Sequence, residues 1–194
     1  MSASTDITNW RQLGHHIWGF QNVDKLLKVD QIRRPSEASR LASVPHNFDS
    51  FKLDITDKKS LDLFSFLSQT ETDGIVVLKD GNIVFEHYIH TNTEKSIHIA
   101  FSTSKSPSAL VDASDNLPFE YISTNADLMG WVIERVTGKK FAEVVSELIW
   151  QPMGAESDAY ITLDHGGNAR TAAALCTTAT LHVLVKSYFM ALTV

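Results

Sequence analysis

The chain has 194 residues, of which 43% are hydrophobic and 21% charged, a composition typical of one globular domain with at most a small appendage. Its net charge is -6, and its basic residues form no block longer than a pair. These features disfavour nucleic acid and anionic membranes as partners, and no membrane association is expected.

The cysteine content and the N-terminus predict the compartment. Cys176 is the one cysteine, which excludes an internal disulfide and suits a reducing compartment. The first ten residues lack an apolar signal core. No apolar run reaches the roughly 18 residues needed to cross a membrane. We therefore expect a cytoplasmic protein.

Residues 1–56 are interpreted as an arm that wraps a domain. Their apolar side chains are irregularly spaced, apart from a short helical pattern near residues 24–29. His15 and His16 are adjacent, so a helix would point them to different faces. No metal site is predicted there.

Residues 57–69 are predicted to form a helix. Asp57 or Ser60 would cap its start, and a three-residue spacing of apolar side chains would give it one buried face. That face would consist of Leu61, Phe64 and Leu67.

Residues 74–90 carry the clearest local pattern. Two β-branched apolar runs flank Asp80-Gly81, which predicts a β-hairpin with a tight turn in which Gly81 takes a positive φ. The first run is apolar throughout, so we expect its strand to be central in a sheet, with both faces covered. His87 and His90 would fall on opposite faces of the second strand, which disfavours a metal site.

Ser102 stands three residues before Lys105, after an apolar approach. If Ser102 begins a helix, Lys105 lies one turn along on the same face. An unprotonated lysine could then take the serine proton and leave an alkoxide to attack a carbonyl carbon. The alternative is an ordinary helix N-cap beside a solvated lysine. Pro107 limits the helix, which we expect to be short.

Tyr121 precedes a second predicted helix, where its phenol either projects into a cleft or packs with its hydroxyl at the surface. Ser123 or Thr124 would cap this helix, and Gly138 would end it. A further helix is predicted from about residue 141 to 150. The helix that Gly138 ends has one apolar face, which contains Leu128, Trp131, Val132 and Val136.

Two stretches near the end of the chain have little pattern. Residues 164–170 are rich in turn-forming residues, and residues 181–194 are largely apolar without capping residues.

Together, several ordered blocks resemble the 6-aminohexanoate-dimer hydrolases, within the serine β-lactamase-like superfamily that includes class C enzymes and penicillin-binding proteins. The resemblance covers most of residues 9–176. The matching blocks are residues 73–81, 101–106, 119–131, 148–155 and 166–170, with the Asn9-Trp10 arm also similar.

The resemblance implies an α/β (α+β) fold with an antiparallel sheet packed against helices. It implies that Ser102 is the acylated nucleophile, Lys105 its general base and Tyr121 the group that relays a proton to the leaving amine. Ser123 would complete the tyrosine motif beside the substrate, and the backbone N–H of Ser102 would be one oxyanion donor. The reaction implied is hydrolysis of a small-molecule linear amide or carboxylic ester through an acyl-serine, with no metal or organic cofactor.

The chain also departs from the family pattern. Ser102 and Tyr121 are much closer in sequence than in the family, where a helical segment separates them, and the resemblance ends near Cys176. We therefore expect a partial β-lactamase-like domain over residues 57–176, an unmatched tail over residues 177–194, a missing helical subdomain and missing last strands. Poor or absent turnover of amide substrates and marginal stability would follow. The alternatives are a catalytically impaired or non-catalytic binding form of the fold, and an unrelated small α/β domain.

Overall fold

The computed structural model describes residues 4–56, 59–104, 123–177 and 180. The described α-helices are α1 (His16–Gln21), α2 (Val23–Leu26), α3 (Leu63–Gln69), α4 (Ser123–Thr137) and α5 (Phe141–Val145). The strands are β1 (Val29–Ile32), β2 (Lys52–Thr56), β3 (Lys59–Asp62), β4 (Gly74–Lys79), β5 (Asn82–Tyr88), β6 (Ile97–Phe101), β7 (Ala159–Leu163) and β8 (Ala169–Thr177). A 3₁₀ turn, Ser102–Ser104, follows β6, and a π-helical turn, Ser146–Trp150, extends α5.

The main sheet has the order β1-β7-β8-β6, and its neighbouring strands are antiparallel. Only β7 and β8 are consecutive in the chain, and they form a hairpin. The outer strands come from distant segments: Val29 pairs with Thr162, and Ile97 pairs with Thr177. The sheet therefore depends on contacts that no local sequence pattern specifies.

Hydrophobic side chains cover both faces of this sheet. Leu175 and Cys176 are neighbours in β8, so their side chains point to opposite faces. Cys176 belongs to a hydrophobic cluster that includes Phe141 of α5 and Trp150 of the π-helical turn. Leu175 belongs to a second cluster with Trp10 and residues of α1 and α2. The sheet therefore lies between α5 and the N-terminal helices.

The predicted hairpin is confirmed. β4 and β5 pair from Gly74 with Tyr88 to Lys79 with Asn82, and the turn has positive φ at both Asp80 (51°) and Gly81 (77°). The expectation that β4 is central in a sheet is wrong, because in the described structure β4 pairs with β5 alone.

The hairpin contacts aromatic side chains from other segments of the chain. Aromatic rings lie against the β5 side of the hairpin, with Phe48 at 5.0 Å and Phe64 at 6.2 Å from Phe85 between ring centroids.

The helix predicted over residues 57–69 begins later than expected. Residues 59–62 form β3, paired with β2, and α3 covers only Leu63–Gln69. Its cap is Asp62, whose Oδ1 accepts from the Ser65 N–H at 2.9 Å. Ser60 lies within β3, so it does not cap this helix, and Asp57 lies outside the described residues.

The two later helices are confirmed. α4 ends before Gly138, which has a φ of 68°, and α5 with its π-helical extension covers residues 141–150. The apolar face of α4 is exposed in the structure, with Leu128 56% and Val136 81% exposed. The helix instead docks through Gly130, its one buried residue in the described structure.

The fold class α/β (α+β), with antiparallel sheets packed against helices, is confirmed. The division into residues 1–56, 57–176 and 177–194 stays a prediction. Within the first of these parts, β1 is an edge strand of the main sheet, and Trp10 and Val23 are core residues.

Candidate functional site around Ser102

Ser102 follows the end of β6, where the strand leaves the sheet through a bulge. Ile99 pairs with Leu175 and Phe101 with Ala174, so β6 has one residue more than β8 across this interval. Phe101 then has a φ of 41°, which is costly for a bulky residue. Bulges and strained residues concentrate at functional sites, where they redirect a side chain. Here they bring Ser102 to the surface, where it is exposed.

Ser104 closes the turn that carries Ser102. Its Oγ donates to the carbonyl oxygen of Phe101 at 2.5 Å and approaches the carbonyl oxygen of Thr171 at 3.4 Å. The first contact is local, while the second reaches β8. This second contact joins the turn to β8 at Thr171, which is 1% exposed.

The first turns of α4 are held by the same part of β8. Asp127 Oδ1 accepts from the Thr171 hydroxyl and from the backbone N–H of Ala172, each at 3.4 Å. Gly130 allows α4 to lie this close to β8, since a Cβ at position 130 would lie 2.4 Å from Thr171 Cγ2. Thr171 thus contacts both the turn after Ser102 and the helix that begins at Ser123.

The structure describes two of the four predicted site residues. Ser102 begins the 3₁₀ turn, and Ser123 is the first residue of α4, exposed to solvent. Lys105 and Tyr121 lie outside the described residues, and so does Pro107. The assembly of all four residues into one site stays a prediction.

A second group of polar residues was not predicted from the sequence. His98 Nε2 lies 3.0 Å from Asp73 Oδ2, and its Nδ1 lies 3.0 Å from the Ile99 carbonyl oxygen. His16 Nε2 lies 3.1 Å from Glu71 Oε2. Both histidine–carboxylate pairs line a cavity of about 290 Å³. These four residues are spread over 83 positions of the sequence, so no local motif predicts that they lie close together.

Cys176 also lines this cavity, and burial raises the pKa of its thiol to about 12. A thiol held in its neutral form is a poor nucleophile. Within the described ranges, no three histidine, cysteine, aspartate or glutamate side chains are grouped to hold a metal ion. The same ranges contain no helix long and apolar enough to cross a membrane.

No family model matches the chain. A stretch of 49 residues, 25% of the chain, is 43% identical to the 6-aminohexanoate-dimer hydrolase of Paenarthrobacter ureafaciens. The predicted resemblance to these hydrolases is confirmed. The stretch spans 12% of the length of that relative.

A solved structure extends the likeness from this stretch to the fold. The chain superimposes on "Putative 6-aminohexanoate-dimer hydrolase from Bacillus anthracis" with a TM-score of 0.83, over 94% of this chain and 72% of that one. The two sequences are 16% identical, so this match shows the fold alone. The predicted β-lactamase-like fold is thereby confirmed.

Proposed function

We propose that the chain is a serine hydrolase that cleaves a linear amide of the 6-aminohexanoate-dimer type, or a carboxylic ester, through an acyl-serine. The observation that carries the proposal is the strained, exposed turn of Ser102, fixed to Thr171 beside the helix that begins at Ser123. A nucleophile must be exposed to substrate and held in place, and this turn provides both.

In the proposed reaction, Lys105 takes the Ser102 hydroxyl proton as the Oγ attacks the carbonyl carbon of the substrate. The tetrahedral intermediate collapses, and Tyr121 passes a proton to the departing amine. Water then attacks the acyl-serine, which releases the carboxylic acid and regenerates the hydroxyl. Ser123 would contact the substrate beside Tyr121, and the Ser102 N–H would donate to the oxyanion. No cofactor takes part in these steps.

We also propose the cytoplasm as the compartment, because the single cysteine, Cys176, cannot form an internal disulfide and suits reducing conditions. The substrate is proposed to be a small molecule, with neither nucleic acid nor a membrane as partner. The alternative function is a catalytically impaired or non-catalytic binding form of the same fold.

Hydrolysis of a chromogenic ester and of a linear amide by purified protein tests the proposal. Ser102→Ala should abolish turnover of both substrates, while Thr103→Ala, a change at the exposed neighbouring residue, should retain it. Lys105→Ala should cost several powers of ten. Wild-type protein without turnover of either substrate would favour the binding form, and turnover that survives in Ser102→Ala would contradict the assignment.

Tyr121→Phe separates the role of the phenol from that of the nucleophile. The change should reduce amide hydrolysis more than hydrolysis of an activated ester, because a good leaving group needs less protonation. Equal losses on both substrates would remove the case for Tyr121 as the proton relay.

A further inference from the structure

The ring of Phe101, the residue directly before Ser102, contacts two aromatic rings from the N-terminal part of the chain. Trp10 stacks with it, with 6.4 Å between the ring centroids and 13° between the ring planes. Phe20 of α1 meets it edge-on, at 5.3 Å and 84°. Stacked and edge-to-face rings at such distances attract each other. The end of β6 is therefore held by residues that lie far from it in the sequence.

The two N-terminal rings are themselves fixed to the core. Trp10 is 6% exposed and belongs to the hydrophobic cluster that contains Leu175 of β8. α1 lies directly against the Trp10 backbone, since a Cβ at Gly19 would meet the Trp10 carbonyl oxygen and lie 3.0 Å from Trp10 Cβ. Phe20 follows Gly19 and contacts the Trp10 ring edge-on at 5.9 Å. The contacts with Phe101 therefore come from a closely packed part of the fold.

The backbone of Phe101 needs such support. Its φ of 41° is unfavourable for a residue with a bulky side chain. Conformations of this kind persist only where the surrounding structure holds them. Phe101 is 38% exposed, so burial does not hold it by itself. The aromatic contacts act on its side chain, while the Ser104 hydroxyl acts on its carbonyl oxygen.

A change of φ at Phe101 would move Ser102. Rotation about the N–Cα bond of Phe101 turns the residues that follow it relative to β6, and Ser102 is the first of them. A bulky residue released from its contacts favours a negative φ. The position of the Ser102 hydroxyl relative to the sheet therefore depends on the sign of φ that Phe101 keeps.

We propose that Trp10 and Phe20 are positioning residues for Ser102, because their rings hold Phe101 in the left-handed conformation from which the Ser102 turn begins. Neither residue needs to touch the substrate. The consequence for catalysis rests on the proposed role of Ser102 as the nucleophile, whereas the consequence for the backbone does not.

The backbone ¹³C chemical shifts of Phe101, measured by NMR on isotope-labelled protein, report the sign of its φ. We expect a positive φ in wild-type protein and its loss in Phe20→Ala and in Trp10→Leu. Trp18→Ala removes a 42% exposed ring from the same helix as Phe20 and should leave the Phe101 shifts unchanged. A negative φ in wild-type protein would overturn the proposal, and a positive φ kept in either folded variant would overturn it for that residue.

The rate of fluorophosphonate labelling of Ser102 relates this conformation to the reaction. Phe20→Ala should lower the rate about tenfold or more at temperatures where the protein stays folded, and Trp18→Ala should not. Adding Phe101→Gly to Phe20→Ala should raise the rate again by about threefold or more, because glycine adopts a positive φ without help from a ring. A further fall in the double variant would contradict the proposal, because contacts that only stabilise the fold predict no recovery.

A comparison at Phe101 itself decides the matter if Phe20→Ala and Trp10→Leu do not fold. Phe101→Gly should be labelled about fivefold faster than Phe101→Ala, because both lack the ring but only glycine readily takes a positive φ. Equal rates would refute the proposal. If wild-type protein gives no adduct on Ser102 while the Phe101 shifts change as expected, the proposed hydrolase function fails and the positioning of Ser102 by the two rings stands.

Discussion

The Ser104 hydroxyl donates a hydrogen bond to the carbonyl oxygen of Phe101 at 2.5 Å. This bond closes the turn after Phe101, which has a φ of 41°. The same hydroxyl is 3.4 Å from the carbonyl oxygen of Thr171. A side chain two residues after the proposed nucleophile therefore connects the strained end of β6 to Thr171 in β8.

Ser104→Ala should loosen the turn without removing the nucleophile. We expect the rate of fluorophosphonate labelling at Ser102 to fall about tenfold, and the free energy of unfolding to fall by about 1 kcal/mol, the usual worth of one hydrogen bond. Ser104→Thr keeps the hydroxyl and serves as the control. A labelling rate unchanged in Ser104→Ala would show that the turn does not need this hydrogen bond.

Gly130→Ala should push α4 away from β8, because its Cβ would lie 2.4 Å from Thr171 Cγ2. We expect a loss of about 1–3 kcal/mol in the free energy of unfolding, typical of overpacking. Thr171→Ser removes the obstructing methyl and keeps the hydroxyl that contacts Asp127. Combined with Gly130→Ala, it should recover part of the loss in urea unfolding. A double variant whose loss equals the sum of the two single losses would argue against this contact.

Protonation of Asp164 should contribute to the acid sensitivity of the β7–β8 hairpin. Hydrogen bonds from the Asn168 side chain and backbone N–H lower the pKa of its carboxyl below the ordinary value of 3.8. The carboxylate therefore stabilises the fold fully above pH 3.8, and this contribution is lost as the pH falls through the folded pKa.

Asp164→Asn should reduce the difference between urea midpoints measured at about pH 6 and about pH 2.5. Asp80→Asn, in the other hairpin, is the control for the loss of an exposed carboxyl. An equal reduction in both variants would mean that the Asn168 contacts add nothing specific.

The sequence predicted elements whose signals are local. Asp80-Gly81 between two apolar runs was enough to predict the β4–β5 hairpin, and Gly138 correctly marked the end of α4. Ser102 was predicted as a nucleophile from its spacing to Lys105, and this role stays a prediction.

Elements stabilised by distant contacts were missed. β8 contains three consecutive alanines, residues 172–174, which have low strand propensity, yet it lies between β7 and β6 in the sheet. β4 was misplaced because an apolar run does not distinguish a central strand from a hairpin packed on aromatic rings. The contacts of Thr171 with Asp127 and of His98 with Asp73 were also missed, because they join residues brought together only by the fold.

Covalent labelling tests the central claim, that Ser102 is the nucleophile, most directly. Purified protein would be treated with a fluorophosphonate, its intact mass measured and the modified peptide sequenced by mass spectrometry. We expect a single adduct on Ser102, absent in Ser102→Ala and retained in Thr103→Ala. An adduct on another residue, or no adduct on folded wild-type protein after prolonged exposure, would contradict it.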